Sequence, residues 1–407
     1  MQDASAVRTV KLYYEDAYRT EFDAVILTAR KTEEEGAGAV LDVVLDRTCF
    51  FPEEGGQSPD RGVLAGLEVT DVQILDGDIH HFLAYPHQLP GGEIPEMLSP
   101  GRKVEGQIDW AYRFSNMQQH SGEHLFSGIV HQRYGFENVG FHLGAGEVTL
   151  DFDGVIPAED LPEIEREANR AVWSNLPSVV RMTTYEERQD LVYRSKLDLK
   201  GEVRIVTFPG IDSCACCAPH VRRTGEIGIV KAVSMIRWKG GVRVSILCGG
   251  RALAFLQQMQ DIVQKTAGFL TTSAENVYPQ VGRLKEEVKE LSARVKAAAA
   301  KDLIRRAEAL PEGTENAALT AEEADAAAVR EAVNAMMKRH EGFCGIFTGA
   351  EGKGYSFVIG SRTKDCRELC AHLRECFGAR GGGKPEMVQG SVNASESELL
   401  ELFRDRS

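Results

Sequence analysis

The sequence has no long apolar run, no excess of positive charge and no regular spacing of cysteines, and each absence excludes a class of protein. No apolar stretch approaches the roughly 20 residues that a membrane-spanning helix needs, so no membrane span is expected. The N-terminal residues lack an apolar segment behind a basic start, so we expect no secretory signal and a cytoplasmic location. Nine cysteines, an odd number without framework spacing, favour a reducing compartment in which thiols are free to bind metal.

The net charge of −14 argues against a surface that is basic throughout, as would suit a nucleic-acid-binding protein. Positive charge is instead concentrated in one segment, which contains Arg222, Arg223, Lys231, Arg237, Lys239 and Arg243. A second, smaller cluster pairs Arg380 with Lys384. These side chains form either a basic stripe for a polyanionic partner or an ordinary solvated surface.

A length of 407 residues predicts two to three domains, and the order of elements predicts an α+β fold. Short β-branched segments at regular spacing predict a small N-terminal β-barrel over residues 1–95. Residues 96–250 alternate helices and strands and predict a two-layer α+β core, and the Pro/Gly-rich residues 89–101 mark the boundary before it. The last part, residues 328–407, predicts an α/β domain.

Between these parts, residues 251–327 predict a helical linker. Leu284, Val288, Leu291 and Val295 are spaced by four, three and four residues, which is typical of a coiled-coil seam. The segment is short for a coiled coil by itself, so an antiparallel helical hairpin is the expected structure.

The most informative segment is SNMQQHSGEHLFSG, residues 115–128, in which His120 and His124 are four residues apart. On a helix this spacing places both imidazoles on one face, where they can bind the same metal ion. Glu123 does not stand where the HExxH pattern of zinc proteases has its glutamate, so this is not a protease helix. By itself the pair is a weak signal, and two histidines that happen to lie on a helix surface are the simpler interpretation.

A second pair with the same spacing, Cys216 and His220, lies about a hundred residues later in DSCACCAPHVRRTGEIG, residues 212–228. The four side chains His120, His124, Cys216 and His220 form a complete nitrogen and sulfur set for tetrahedral Zn²⁺. We therefore predict one zinc ion per chain, with ligands from a helix and from a loop between strands. The alternative is a cysteine-rich loop with an unrelated histidine.

HxxxH followed by CxxxH and a TGEIG-like segment resembles the editing domain of alanyl-tRNA synthetase and the free-standing alanyl-tRNA editing proteins of the AlaX type. Three further segments share the resemblance: TCFFPEEGGQSPDRG (48–62), GFHLGAGEVTLDF (140–152) and RGGGKPEMVQGS (380–391). It extends from about residue 20 to the C-terminus, and no aminoacylation domain is expected before it. The long, free-standing form is therefore the better match, and residues 96–250 correspond to its editing core.

The resemblance implies a hydrolase that removes the wrong amino acid from mischarged tRNA(Ala), serine first and glycine second. A separate hydrolytic site is needed because a synthetase pocket cannot strongly reject a near-isostere that adds a hydroxyl or lacks a methyl group. Zinc can polarise the ester carbonyl, activate water or hold the substrate amine. Four protein ligands usually close a structural site, so either His220 is displaced, the coordination expands, or the metal mainly orients the substrate.

The resemblance also assigns residues. Thr48, which helps the family distinguish serine from alanine, Gln57 of the same glycine-containing segment and His142 are the candidate catalytic residues. Local sequence alone favours a hairpin loop for that segment, and His142 is equally consistent with an ordinary loop histidine. The sequence departs from the family at Glu54 and at Cys217-Ala218-Pro219, where Pro219 removes an amide donor.

For tRNA binding, the candidates are Arg222 and Arg223, together with Gly382, Gly383 and Lys384 of the C-terminal glycine motif. Exposed backbone N–H groups of such a motif can meet phosphate or ribose, although a flexible surface loop is the alternative. This domain resembles the one that alanyl-tRNA synthetase shares with DHH-type phosphoesterases, and a homodimer contact is a candidate role for it.

Two other functions fit parts of the sequence. A zinc-stabilised protein could bind tRNA without hydrolysing it. A phosphoesterase would explain the C-terminal domain, but the chain has no Asp-His-His motif and its histidines form the zinc set instead.

Overall fold

The computed structural model describes residues 9–34, 38–85, 94–144, 146–195, 201–312 and 314–404. Helices and strands alternate along the chain, which confirms the predicted α+β class. The chain divides into two compact units after Ile262. Within the described ranges, no helix combines the length and the apolar character needed to cross a membrane.

The first unit begins with a β-barrel. Its elements are β1 (Val10–Lys11), α1 (Leu12–Glu15), β2 (Glu21–Glu34), β3 (Gly38–Leu45), β4 (Arg47–Thr48), β5 (Gly62–Leu64), β6 (Leu67–Leu75), β7 (Asp78–Ala84) and β8 (Lys103–Ile108). The barrel closes in the order β2-β3-β7-β6-β5-β8, and β1 pairs in parallel with β4. Strand β8 alternates exposed and buried residues, as expected where one face of a strand packs on a core.

One polar pair is buried within the barrel. The Nδ1–H of His81 donates to the carbonyl of Val43 at 3.1 Å, so its Nε2 accepts from the Thr48 hydroxyl at 2.8 Å. Neither side chain is exposed. Burial lowers the pKa of His81 from 6.5 to about 4, because the charged imidazolium would lose its hydration.

The barrel is followed by helices packed on two sheets. These elements are α2 (Trp110–Tyr134), β9 (Asn138–Leu143), β10 (Val148–Phe152), α3 (Leu161–Trp173), β11 (Val179–Thr183), α4 (Tyr185–Arg188), β12 (Val203–Phe208), β13 (Asp212–Ala215), β14 (Val230–Trp238), β15 (Gly241–Cys248) and α5 (Gly249–Phe269). One sheet has the order β14-β15-β10-β9 and the other the order β11-β12-β13. Short 3-10 turns lie at Glu96–Leu98, Ala158–Asp160 and Thr224–Ile227, and a further one at Ala274–Asn276 belongs to the second unit.

Helix α2 is the central element of this unit. Asp109 caps its N-terminus by accepting from the Tyr112 amide at 3.0 Å, and Gly135 ends it in the left-handed conformation. Its middle is buried on every side between the barrel and the sheets. Gly122 permits this packing, since a Cβ there would lie 2.2 Å from the Cys248 sulfur. The two histidines of the sequence motif therefore stand on a buried helix.

Arg113 joins α2 to the barrel. Its Nε donates to both carboxylate oxygens of Asp60 at 2.9 and 3.0 Å, and its Nη1 donates to the carbonyl of Ala17 at 2.9 Å. A further Nη2 bond reaches the carbonyl of Cys49 at 2.6 Å. Because Arg113 and Asp60 are both buried, removing either partner would leave an unpaired buried charge, which typically costs about 3–5 kcal/mol.

The second unit, described by itself, has a single mixed sheet in its described residues. Its elements are α6 (Val277–Glu308), β16 (Ala317–Ala321), α7 (Ala326–Met336), β17 (Cys344–Ala350), β18 (Gly354–Gly360), α8 (Cys366–Phe377), β19 (Arg380–Lys384), β20 (Met387–Val392) and α9 (Glu396–Arg404). The strand order is β16-β17-β18-β20-β19, with only β16 and β17 parallel.

The glycine motif at residues 380–384 is not the flexible surface loop that was the alternative interpretation of its sequence. It forms the edge strand β19, paired along its whole length with β20. Gly381 and Gly383 approach the backbone of β20 closely, and a Cβ at either would lie 2.5 or 2.4 Å from a carbonyl oxygen. Glycine is therefore used here for close strand packing.

The predicted division at residues 95, 250 and 327 stays a prediction, as does the helical hairpin. The predicted linker at residues 89–101 lies partly outside the described residues, which resume at residue 94.

The buried His81 predicts a pH dependence of stability. Above pH 6.5 the His81 imidazole is neutral in both the folded and the unfolded state. Between pH 6.5 and about 4, the imidazole is protonated in the unfolded chain but stays neutral in the folded protein. We expect wild type to lose up to about 3 kcal/mol of stability relative to His81→Gln across this window. Urea unfolding of both proteins at pH 7, 5.5 and 4.5 measures the difference, and a pH-independent gap would contradict the prediction.

Candidate metal centre

His120, His124, Cys216 and His220 meet in the first unit. The two α2 histidines face the loop that follows β13, and this loop carries Cys216 and His220. One ligand atom from each residue lies within 4.8 Å of the others. The Cys216 sulfur is 3.5 Å from His120 Nε2 and 3.2 Å from His220 Nε2. Each histidine is at least 96% buried, with an exposed fraction of 4%, 1% and 4% in chain order.

The other ring nitrogen of each histidine has its own partner. The Nδ1–H of His120 donates to Gln57 Oε1 at 2.8 Å, and that of His124 donates to Asp212 Oδ2 at 2.8 Å. His220 Nδ1 shares a hydrogen bond with the Ser121 hydroxyl at 3.0 Å. Such bonds orient the rings and leave Nε2 for a metal.

The carboxylate behind His124 is itself held in place. Arg194 donates to the two oxygens of Asp212 at 2.8 and 3.0 Å. Although burial opposes its charge, the hydrogen bonds from His124 and Arg194 lower the pKa of Asp212 to about 2. Asp212 therefore stays ionised at neutral pH and acts as a fixed acceptor.

The electrostatics favour a thiolate at Cys216. Burial raises its pKa, but the imidazoles of His120 and His220 outweigh burial and hold the pKa well below its usual value. Burial also lowers the pKa of His220 to about 3, so this imidazole is neutral. A metal requires a thiolate and neutral imidazoles of these ligands. Burial opposes a charge on His124, but its hydrogen bonds to Asp212 and Cys216 outweigh burial and hold its pKa well above the usual value, so binding of a metal would have to release that proton.

Three imidazole nitrogens and one sulfur fit a borderline-soft ion that accepts tetrahedral coordination. Gln57 also indicates a polar ligand. Its Nε2 is buried without a hydrogen-bond partner among the described residues, and buried polar atoms normally have a partner. The four side chains could hold a metal ion.

The loop that carries Cys216 and His220 keeps its shape despite Pro219. Arg204 Nη1 donates to the carbonyls of Cys216 and Ala218 at 2.9 and 2.8 Å, and the Cys216 amide donates back to the Arg204 carbonyl at 3.0 Å. The Val221 amide donates to the Ser121 hydroxyl at 3.2 Å. These four hydrogen bonds hold the loop although Pro219 has no amide to donate.

A pocket of about 450 Å³ opens beside the metal ligands and is lined by His120, His124 and Cys216. The barrel contributes Tyr14, Glu54 and Gly55 to its wall, and the metal-site elements contribute Glu123, Phe141 and Arg204 among others. Its volume falls in the range of small-molecule sites, typically about 300–1,000 Å³. The cavity can therefore accept the end of a larger molecule next to the metal ligands.

The glycine-containing loop of the barrel docks directly on this site. The Leu143 amide donates to the Gly56 carbonyl at 2.8 Å, and Gly56 has φ of +82°. A Cβ at this position would lie 2.4 Å from the Phe141 carbonyl oxygen, so only glycine allows the approach. The docking brings Gln57 to His120.

Two of the predicted catalytic residues lie outside this pocket. Thr48 does not line the pocket, because its hydroxyl is bonded to His81 and accepts from the Phe50 amide at 3.0 Å. His142 is exposed and lies outside the pocket. Its neighbour Phe141 lines the pocket instead, with its ring centroid 4.7 Å from that of His120. Successive residues of a strand point to opposite faces, so both cannot face the metal site.

Sequence reasoning did not identify Glu123, Asp212, Arg194 or Phe141 as parts of the site. Strand alternation in GFHL could have indicated Phe141. Asp212 opens the cysteine-rich segment, but its contact with His124 joins residues 88 positions apart and has no signal in the sequence.

The predicted tRNA-binding residues lie in separate places. Arg222 is on the surface of the first unit, where it pairs with Asp16 at 3.0 Å and covers the ring of Tyr18 at 4.1 Å. Arg223 donates to the carbonyl of Asn175 and is exposed. Gly382, Gly383 and Lys384 are exposed on β19 of the second unit.

The metal site predicts a difference between adjacent cysteines. We expect wild type to retain one zinc ion through dialysis and Cys216→Ala, which removes one of the four donors, to lose it. Cys217→Ala removes the next thiol, which is outside the ligand set, and should keep the zinc. Elemental analysis of the three proteins measures this, and equal zinc in Cys216→Ala would show that the sulfur is no ligand.

Comparison with protein families gives two matches. Residues 1–112 match the model of class II (A) tRNA synthetases. Residues 203–243, which include Cys216 and His220, match the second additional domain of threonyl- and alanyl-tRNA synthetases.

Comparison with individual proteins gives similarity over most of the chain. Alanyl-tRNA editing protein AlaX-L of Pyrococcus horikoshii is 27% identical over 97% of this chain and 98% of its own. Alanyl-tRNA editing protein Aarsd1-B of Xenopus laevis is 31% identical, over 62% of this chain and 60% of its own. Alanine–tRNA ligase of Methanothrix thermoacetophila is 29% identical over 94% of this chain but only 42% of its own.

Among solved structures, the C-Ala domain of Aquifex aeolicus alanyl-tRNA synthetase matches 23% of this chain at 19% identity, with a TM-score of 0.19. That structural match is too weak to support an argument about fold. The sequence matches, in contrast, extend through both units, and they confirm the resemblance to the long-form alanyl-tRNA editing proteins.

Proposed function

We propose that the protein hydrolyses the ester bond of mischarged tRNA(Ala), with serine as the main amino acid removed and glycine as the second. The observation that carries the proposal is a set of three histidine nitrogens and one cysteine sulfur beside a pocket of about 450 Å³. The relatives named as alanyl-tRNA editing proteins support the choice of substrate.

The proposed cofactor is one zinc ion held by His120, His124, Cys216 and His220. When bound, zinc would polarise the ester carbonyl or lower the pKa of a water molecule. Gln57, Ser121 and Asp212 keep the rings oriented, and the barrel loop at Gly56 closes one side of the site. We assign Gln57 to positioning His120, because it contacts that ring and does not line the pocket.

The charge of the pocket suits an aminoacyl end better than a phosphate. Glu54, Glu123 and Glu202 line it, and of its two arginines Arg194 is paired with Asp212. An aminoacyl ester carries an ammonium group beside the scissile bond, whereas a phosphoester would be repelled by these carboxylates. This favours ester hydrolysis over phosphoesterase activity.

We also propose that Arg222, Arg223 and the edge strand β19 contact tRNA, and that the substrate places the protein in the cytoplasm. The proposed contacts of Arg222, Arg223 and β19 with the phosphate backbone of tRNA would increase affinity without recognising a base sequence.

An exposed apolar seam on α6, formed by Val281, Leu284, Val288, Leu291 and Val295, supports a homodimer contact in the C-terminal part.

The proposal predicts selective deacylation. Wild type should hydrolyse Ser-tRNA(Ala) and, more slowly, Gly-tRNA(Ala), while Ala-tRNA(Ala) stays charged; Cys216→Ala should lose this activity together with zinc. Release of the radiolabelled amino acid measures each rate. Stoichiometric zinc without hydrolysis of any of the three would favour the alternative, a zinc-stabilised tRNA-binding protein.

The proposed tRNA contact predicts an effect on binding. Replacing Arg380 and Lys384 together by alanine removes two exposed cations from β19, so we expect KM for Ser-tRNA(Ala) to rise several-fold with kcat unchanged. The increase should shrink at higher salt, because counterions screen phosphate contacts. The matched control is Lys289→Ala with Arg305→Ala, which removes two exposed cations from α6. An unchanged KM in the β19 variant would rule out this surface.

A further inference from the structure

Arg204 is a buried cation in the wall of the pocket. It lies on β12, the middle strand of the sheet β11-β12-β13, opposite Met182 of β11, and both residues line the cavity. Only 7% of Arg204 is exposed. A buried charge is stable only when it is paired or hydrogen-bonded, so the partners of this guanidinium decide what it can bind.

The guanidinium of Arg204 has one occupied side and one free edge. Nη1 donates to the carbonyls of Cys216 and Ala218 at 2.9 and 2.8 Å, and these bonds hold the loop that carries the metal ligands. Nε is buried without a hydrogen-bond partner, and Nη2 also has none in the part of the chain that the structure describes. Nε and Nη2 together form the edge by which a guanidinium binds phosphate or carboxylate through two parallel hydrogen bonds.

The charge of Arg204 has no anionic partner either. Its guanidinium carbon lies 5.2 Å from the ring centroid of Tyr14, which lines the same pocket, but an aromatic ring and two carbonyls carry no full negative charge. Among the described residues, no carboxylate forms an ion pair with Arg204. Arg194, the other arginine of the wall, differs because it makes two bonds to Asp212. Arg204 is therefore the position in this wall that is suited to an anion.

An aminoacylated tRNA end offers one kind of anion. The amino acid is held as an ester and has no free carboxylate, so its charge is that of the ammonium group, and the negative charges are those of the phosphates. The nearest phosphate is on the 5′ side of the terminal ribose. A cavity of about 450 Å³ falls in the range that accepts drug-sized ligands, so it has room for a nucleotide as well as a seryl group.

We propose that Arg204 binds the phosphate on the 5′ side of the terminal nucleotide while the amino acid on that nucleotide lies at the metal ligands. This inference rests on the proposed function and names the group by which the pocket recognises the end of an RNA chain. Its consequence is that an aminoacyl nucleotide is bound more tightly than an aminoacyl nucleoside, because only the nucleotide can pair with the buried guanidinium.

Two non-hydrolysable ligands that differ only in a phosphate test the proposal. Both are the L-seryl amide of 3′-amino-3′-deoxyadenosine; one has a free 5′-hydroxyl, and the other has a 5′-methyl phosphate, which keeps the single charge of a phosphodiester. Calorimetric titration of the zinc-loaded protein at fixed ionic strength gives both Kd values, and elemental analysis gives the zinc content.

The test variant is Arg204→Gln, which removes the charge and keeps a side-chain amide that can donate to the carbonyls of the loop. Arg204→Lys keeps the charge but not the planar edge of two donors. The control is Arg181→Gln, because it removes an exposed arginine of the neighbouring strand β11 that does not line the pocket.

We expect wild type and Arg181→Gln to bind the phosphorylated amide about 10- to 100-fold more tightly than the other, the usual range for a hydrogen bond to a charged group. Arg204→Gln should bind both ligands with the same Kd and retain its zinc, and Arg204→Lys should keep part of the preference. A residue that only holds the loop would weaken both ligands by the same factor and leave the preference intact.

Other outcomes overturn the proposal. Equal Kd values in wild type exclude a phosphate site, a preference that survives in Arg204→Gln excludes this arginine, and a preference lost in Arg181→Gln as well assigns the effect to surface charge. If Arg204→Gln loses its zinc, Arg204→Lys decides, and equal Kd values in that variant overturn the proposal. Hydrolysis of Ser-tRNA(Ala) by wild type alongside any of these results would refute this inference alone. If wild type binds neither amide and does not hydrolyse Ser-tRNA(Ala), the proposed function fails with it.

Discussion

The metal centre depends on three hydrogen bonds made by the histidine nitrogens that face away from it. An imidazole can rotate about two side-chain torsions, and a bond at Nδ1 fixes both the ring and its tautomer. The partners Gln57, Ser121 and Asp212 come from the barrel loop, from α2 and from β13. The site can therefore form only after the barrel, the helix and the sheet have packed together.

The same packing shapes the pocket and its charge. Gly56 lets the barrel loop reach β9, and Gly122 lets α2 lie against Cys248, so the walls approach more closely than side chains would allow. Asp212 pairs with the Arg194 guanidinium, which leaves the carboxylates to dominate the cavity. A negatively charged pocket favours a ligand whose bound end is cationic. Apart from Arg204, the arginine and lysine side chains proposed to contact tRNA lie on the surface instead.

From the sequence we predicted the α+β class and identified the four side chains that lie together in the structure. Those predictions succeeded because they rest on local spacing: residues four apart share a helix face, and two such pairs make one donor set. Thr48 and His142 lie outside the pocket for the complementary reason. The orientation of a strand residue depends on which face of the strand packs inward. Thr48 is bonded to His81, and Phe141 rather than His142 faces His120; both contacts join residues that are distant in the chain.

By itself, then, the sequence determined the helix that carries His120 and His124, the loop that carries Cys216 and His220, and the family to which the chain is related. The tertiary structure alone decided which side chains surround them: Asp212 behind His124, Gln57 behind His120, and Glu123 in the pocket with Asn138 holding it. The physical reason is that ligand spacing is a property of a few consecutive residues, whereas hydrogen-bond partners and pocket walls are chosen by burial, which only the packed chain defines.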